Sequence, residues 1–112
     1  MNHLGYIGAA ISVLAGSLGL LWPQRVSAVI GLQLPGRLGV SEFRATYGGL
    51  FIGAGLATLV LGSRDAAVVL GAAWAGAFVA RALSVVIDRS RSKENAAGLA
   101  IEAAIASLLL LS

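Results

Sequence analysis

Apolar residues run along this chain in four long blocks separated by short polar breaks, without the period-two alternation of strands. The first block covers about 4–21, carries no charge, and stops at Trp22-Pro23, an interfacial aromatic followed by a helix breaker. The second covers about 42–61, begins after the N-cap candidate Ser41, and ends at the polar turn Gly62-Ser63-Arg64-Asp65. The third covers about 66–87; the fourth, about 95–111, follows the polar stretch 88–94. A membrane crossing needs about 20 mainly apolar residues. Backbone amides cannot stay unpaired in lipid, so each block must be a helix or part of a closed barrel, and barrel strands alternate. The pattern therefore predicts an all-α fold: an integral membrane four-helix bundle forming one domain over residues 1–112. The first block lacks a basic leader and a small-x-small site before Trp22, so it is expected to be a retained span and not a cleaved signal.

The connection between the first two blocks holds two possibilities. Val26, Val29, Ile30 and Gln33 fall at i, i+3, i+4 and i+7, which suits a short interfacial helix with Arg25 toward the headgroups. The alternative is an irregular loop partly buried in the bundle. Leu34-Pro35-Gly36 then turns the chain.

Composition narrows the class. Of 112 residues, 58% are hydrophobic and 12% charged, and the mean hydropathy is +0.90. An ordinary soluble domain is about 25% charged, so too little charge is present to coat a water-facing surface. Zero Cys excludes disulfide frameworks, thiolate metal sites and cysteine nucleophiles. The single His and single Met fall within the first three residues, so no metal site and no cofactor is expected. Arg25, Arg37, Arg89, Arg91 and Lys93 lie in the first and third connections, and only Arg64 lies in the second. This bias predicts cytoplasmic first and third loops and outward-facing termini. It also accounts for the net charge of +3 and leaves no basic face for nucleic acid.

Small residues recur at i+4 spacing: Gly8, Ser12 and Gly16; Ala45, Gly49, Gly53 and Ala57; Ala72, Gly76, Ala80 and Ser84; and a face holding Gly98, Glu102 and Ala106. Such stripes let helices approach closely in lipid, within one chain or between copies.

Charged residues inside the spans are the informative ones. Arg81 and Glu102 fall well inside, while Glu42, Arg44, Asp88 and Arg89 sit near the cytoplasmic boundary. Arg81 lies seven residues before Asp88, and Glu102 seven after Asn95, so both are about 10 Å deep on neighbouring antiparallel helices. Equal depth makes them the expected ion pair, and Gly98 and Ala106 leave room for a guanidinium. Arg44 is placed to reach Asp88, Glu42 or Glu102. Two arginines around one carboxylate would leave positive charge over, suiting an anion, a lipid headgroup or a polar ligand. The competing view is that these charges neutralise one another and fix helix register. The candidate polar core is Glu42, Arg44, Tyr47, Arg81, Asp88 and Glu102. Trp74 and Phe78 precede Arg81 on its helix; they are expected to pack, with flanking a pocket as the alternative, and Tyr6 and Trp22 are expected as interface anchors.

Glu42-x-Arg44-Ala45-x-Tyr47-Gly48-Gly49-Leu50, followed by Ala80-Arg81, Asp88 and Glu102, resembles a family of small bacterial four-helix membrane proteins known only as a domain of unknown function, and is broadly similar to DoxX-like proteins. The resemblance covers nearly the whole chain. It implies a bacterial inner-membrane location and a polar core, but no reaction. Where the pattern has Gly before the third-span Arg and after the Asp, this chain has Ala80 and Arg89.

Three function classes follow. The first is a non-enzymatic membrane protein whose polar core binds a small lipophilic or anionic ligand or a lipid. The second is a small proton-coupled transporter, although the uncharged first span lacks the Glu of four-helix exporters. The third is an accessory subunit of a larger complex, or a homo-oligomer, held through the small-residue stripes. No general base and nucleophile can be paired, so an enzyme is not expected.

Overall fold

The computed structural model describes residues 1–112, and its regular elements are all helical. They are α1 (His3–Leu21), α2 (Pro23–Val29), α3 (Gly36–Leu61), α4 (Arg64–Ile87) and α5 (Lys93–Leu110). Side-chain caps set three starts: Asn2 Oδ1 accepts from Leu4 N at 2.9 Å, Ser63 Oγ from Ala66 N and Ser92 Oγ from Asn95 N, each at 3.1 Å. Gly62, at φ 59°, ends α3 in the left-handed conformation that glycine adopts without strain.

Two features of α3 differ from expectation. Ser41 does not cap a helix; α3 begins at Gly36, just after Pro35, whose carbonyl accepts from Gly39 N at 2.9 Å. Proline, with φ already set and no N–H to lose, is the stronger start signal. Within α3, residues Ala45–Leu50 form a π-helical run, which apolar periodicity does not encode. The connection between α1 and α3 combines both sequence expectations. Pro23–Val29 is helical and buries Pro23 and Ser27, whereas Ile30 and Gln33 lie outside the helix.

Helices α1, α3 and α4 are long and apolar enough to cross a membrane. The expected fourth span, α5, does not join them on length and composition, because its 18 residues include Lys93, Glu94 and Glu102. Many large apolar side chains face outward, with Val60 84% exposed and Ile87 73%, while the interior combines Ile105, Leu109 and Trp74 with small and polar residues such as Ala9, Ala67, Ser12 and Glu102. Extensive outward apolar surface over an interior that includes small and polar residues suits a lipid surround.

α1 packs on α3 and α5, and α4 packs mainly on α5, whereas α3 and α4 touch much less. The chain is accordingly flattened, at 38 × 31 × 16 Å. Asn2 N donates to Ser112 Oγ at 3.1 Å and Arg64 Nη2 to Leu110 O at 3.2 Å, so both termini and the turn after α3 share one end.

The stripes divide. On α1, Gly8 lies against Leu109 and Gly16 against the Gly48 carbonyl, and Ser12 Oγ donates to Phe51 O at 3.1 Å. The α3 stripe is the exception to the packing expectation: Ala45, Gly49, Gly53 and Ala57 are all exposed, and a Cβ at Gly53 would meet nothing. The α4 stripe likewise turns Ala72 and Gly76 outward. Gly48, Gly55 and Thr58 form the contact face of α3 instead. Spacing marks a smooth face but carries no information about which smooth face has a partner.

Candidate functional site

The gap between α3 and α4 is a cavity of about 590 Å³ with α5 and α1 behind it. Its apolar part is lined by Phe51, Ala54, Leu70, Ala73, Trp74 and Ala77; its polar part by Thr46, Tyr47, Arg81, Ser84, Asn95 and Glu102. The run of alanines on α4 creates the space, since side chains that stop at Cβ cannot fill the distance to α3. Leu50, Thr46, Ala73 and Ala80, also on its lining, are exposed, so the cavity opens on the outside of the helix assembly.

Arg81 and Glu102 meet, as their matched depths predict. Nε donates to Oε1 at 2.8 Å and Nη2 to Oε2 at 3.0 Å, a two-point fork in which charge and geometry reinforce each other. Nη1 donates to Asn95 Oδ1 at 2.8 Å, and Asn95 Nδ2 donates in turn to Ser90 O at 2.7 Å and Ser90 Oγ at 2.8 Å. This chain ties the middle of α4 to the start of α5. The Glu102 side chain is 9% exposed and that of Arg81 33%, so the carboxylate is the buried partner and the guanidinium faces the cavity. Gly98 makes this possible: a Cβ there would lie 2.6 Å from Arg81 Cζ. Asn95 and Gly98 belong to the site, and Asn95 was not among the residues expected from the sequence. Its signal was its position one turn before Gly98 and two before Glu102 on the same helix face.

The other expected members do not converge on this pair. Arg44 turns away from the carboxylates and donates from Nη1 to Leu20 O at 2.8 Å, covering a carbonyl at the end of α1. Asp88 is exposed and accepts from Ser84 Oγ at 2.6 Å, one turn back on its own helix. Glu42 is exposed at the rim of a second, shallower groove of about 550 Å³ between the α2–α3 connection and the start of α3. A long side chain near a helix end takes the closest unpaired backbone group, which residue spacing does not reveal.

Tyr47 lines both cavities. Its ring stacks on Phe43 at 4.6 Å between centroids and meets Phe51 edge-on at 5.9 Å; Phe51 reaches Trp74 at 4.7 Å. Trp74 thus packs in the core, as expected, and also walls the cavity. The π-helical run carries Thr46, Tyr47 and Leu50, so the irregular part of α3 faces the cavity together with Phe51 and Ala54 of the regular turns after it. Such runs are common at functional sites.

Comparison with curated proteins and with solved structures found no match. One family does match, described as a domain of unknown function (DUF4345), over residues 2–112. With that match covering essentially its whole length, the chain belongs to the DUF4345 family.

Proposed function

We propose that this protein is a multi-pass protein of the bacterial inner membrane that binds a small lipophilic molecule in the cavity between α3 and α4. In this reading α5 is the fourth crossing. Its Glu102 is matched by Arg81 and its charged Lys93 and Glu94 lie at one end. The excess of Lys and Arg in the first and third connections supports a periplasmic position for both termini. The observation that carries the reading is an outward-opening apolar cavity with a guanidinium at its end. Its volume of about 590 Å³ suits a ligand, since binding pockets run about 300–1,000 Å³ and combine apolar walls with a few placed polar groups. The reading is one of binding, supported by apolar walls closed at one end by a guanidinium and a carboxylate that are tied to each other.

Native mass spectrometry of the full chain, extracted in mild detergent, tests this. A small lipophilic adduct is expected on the natural chain and absent from Ala77→Leu, which fills the cavity. Identical adducts on both would contradict it.

The exposed stripe Ala45, Gly49, Gly53 and Ala57 supports a second reading, in which this face meets a helix of another copy or of a larger complex. A monomer mass in the same experiment counts against it.

A further inference from the structure

The polar end of the cavity can be characterised by counting what is already occupied. Arg81 and Glu102 are the only charged residues lining it, and they pair with each other. The site therefore carries no net charge. Arg44, which could have left a positive surplus, is committed to Leu20 O. An anionic headgroup would bring one uncompensated negative charge into a low-dielectric site, and isolated buried charges are strongly disfavoured.

Donors remain all the same. A guanidinium has five N–H groups, and three of Arg81's are used, by Glu102 twice and Asn95 once. One N–H on each terminal nitrogen is left. Three of the neighbouring polar side chains are spent: both Asn95 amide hydrogens go to Ser90, the Ser84 hydroxyl to Asp88 and the Ser12 hydroxyl to Phe51 O. The Thr46 and Tyr47 hydroxyls on the same lining remain as neutral donors. The free Arg81 hydrogens, carried by a cation, are the strongest donors still available to an occupant.

Resting on the ligand-binding reading above, we infer that the cavity selects a neutral amphiphile whose carbonyl or ester oxygen accepts from Arg81, with its apolar body along Phe51 and Trp74, and that Glu102 sets this choice by cancelling the Arg81 charge. Glu102 is then a specificity-determining residue that acts through Arg81.

The test uses two probes of equal chain length in nanodiscs of saturated phosphatidylcholine: methyl dibromostearate, which is neutral, and dibromostearate at alkaline pH, which is anionic. Bromine quenches tryptophan at short range. Trp22→Phe leaves Trp74, on the cavity wall, as the only fluorophore of the chain's two tryptophans. The ester is expected to quench Trp74 at a mole fraction about tenfold or more below that of the carboxylate, the ratio for about 1.4 kcal/mol. In Glu102→Gln, where the guanidinium is unbalanced, the order reverses. Ala77→Leu abolishes quenching by both probes.

A carboxylate that quenches the natural chain as well as the ester does, or better, overturns the inference and leaves the cavity-binding reading intact. An ester preference that persists in Glu102→Gln overturns it too. Absence of quenching by either probe rejects the binding reading and the inference together. Should Glu102→Gln fail to fold, the ratio in the natural chain, with Ala77→Leu as control, still decides.

Discussion

Arg81 holds Glu102 at two points, with Nε–Oε1 at 2.8 Å and Nη2–Oε2 at 3.0 Å, and it does so across the position where Gly98 has no side chain. Three residues on two helices thus form one unit. The missing Cβ lets the guanidinium lie against α5, and the fork then locks α4 to α5, which are also in extensive contact. The carboxylate is almost enclosed and depends on this partner alone for its charge.

Gly98→Ala tests the close approach. Its new Cβ would force the guanidinium to move, and the fork would lose at least one bond to a charged group, worth about 1.5–3 kcal/mol. Gly53→Ala is the control, since its Cβ meets nothing. It should leave stability unchanged or raise it by about 0.5–1 kcal/mol through helix propensity. Denaturation in mixed micelles measures both.

Removing one member of the pair should cost more than removing both. Glu102→Ala strands a guanidinium, with a cost of about 3 kcal/mol or more for breaking a buried pair. The double change Arg81→Met with Glu102→Leu should recover most of that stability, because apolar replacements of similar volume avoid desolvation. It should also lose the ligand adduct. A stable double variant that retains the adduct would show the pair to be structural only.

Arg44 serves α1 and not the cavity. Arg44→Gln should therefore weaken the end of α1 by about 1–2 kcal/mol and leave ligand binding unchanged. Adduct occupancy and thermal unfolding, read on the same sample, separate the two effects.

Arg89 occupies a position that favours glycine. It follows the cap Asp88 and has φ 52°, left-handed backbone that costs a side-chain-bearing residue about 1–2 kcal/mol. The glycine that the family resemblance leads one to expect after the aspartate has this physical role. Arg89→Gly should stabilise the chain by about 1 kcal/mol without altering the cavity, as thermal unfolding in detergent would report.

What could be read from the residues, and what could not, divides by the length scale of the interaction. The Arg81–Glu102 pair was legible because depth along a helix is a matter of counting, and Gly98 because it shares the Glu102 face. The helices were legible from their apolar blocks, apart from the start of α3, where Pro35 outranks Ser41. Arg44 was not legible, since its partner is a backbone carbonyl 24 residues away. The outward turn of the α3 stripe depends on how α1 and α3 rotate against each other. The cavity depends on α3 and α4 failing to meet, and the π-helical run is a backbone choice that no side-chain period records.

The proposed function requires a charged pair lying inside the membrane on α4 and α5. With no native cysteine, single spin labels can be placed cleanly at Ala100→Cys, exposed on α5 near Glu102, and at Arg91→Cys, exposed just before the Ser92 cap of α5. Paramagnetic relaxation in bilayers then compares oxygen, which concentrates in lipid, with a water-soluble nickel chelate. Oxygen should dominate at Ala100→Cys and nickel at Arg91→Cys; nickel dominating at both would place α5 outside the hydrocarbon and contradict the proposed function.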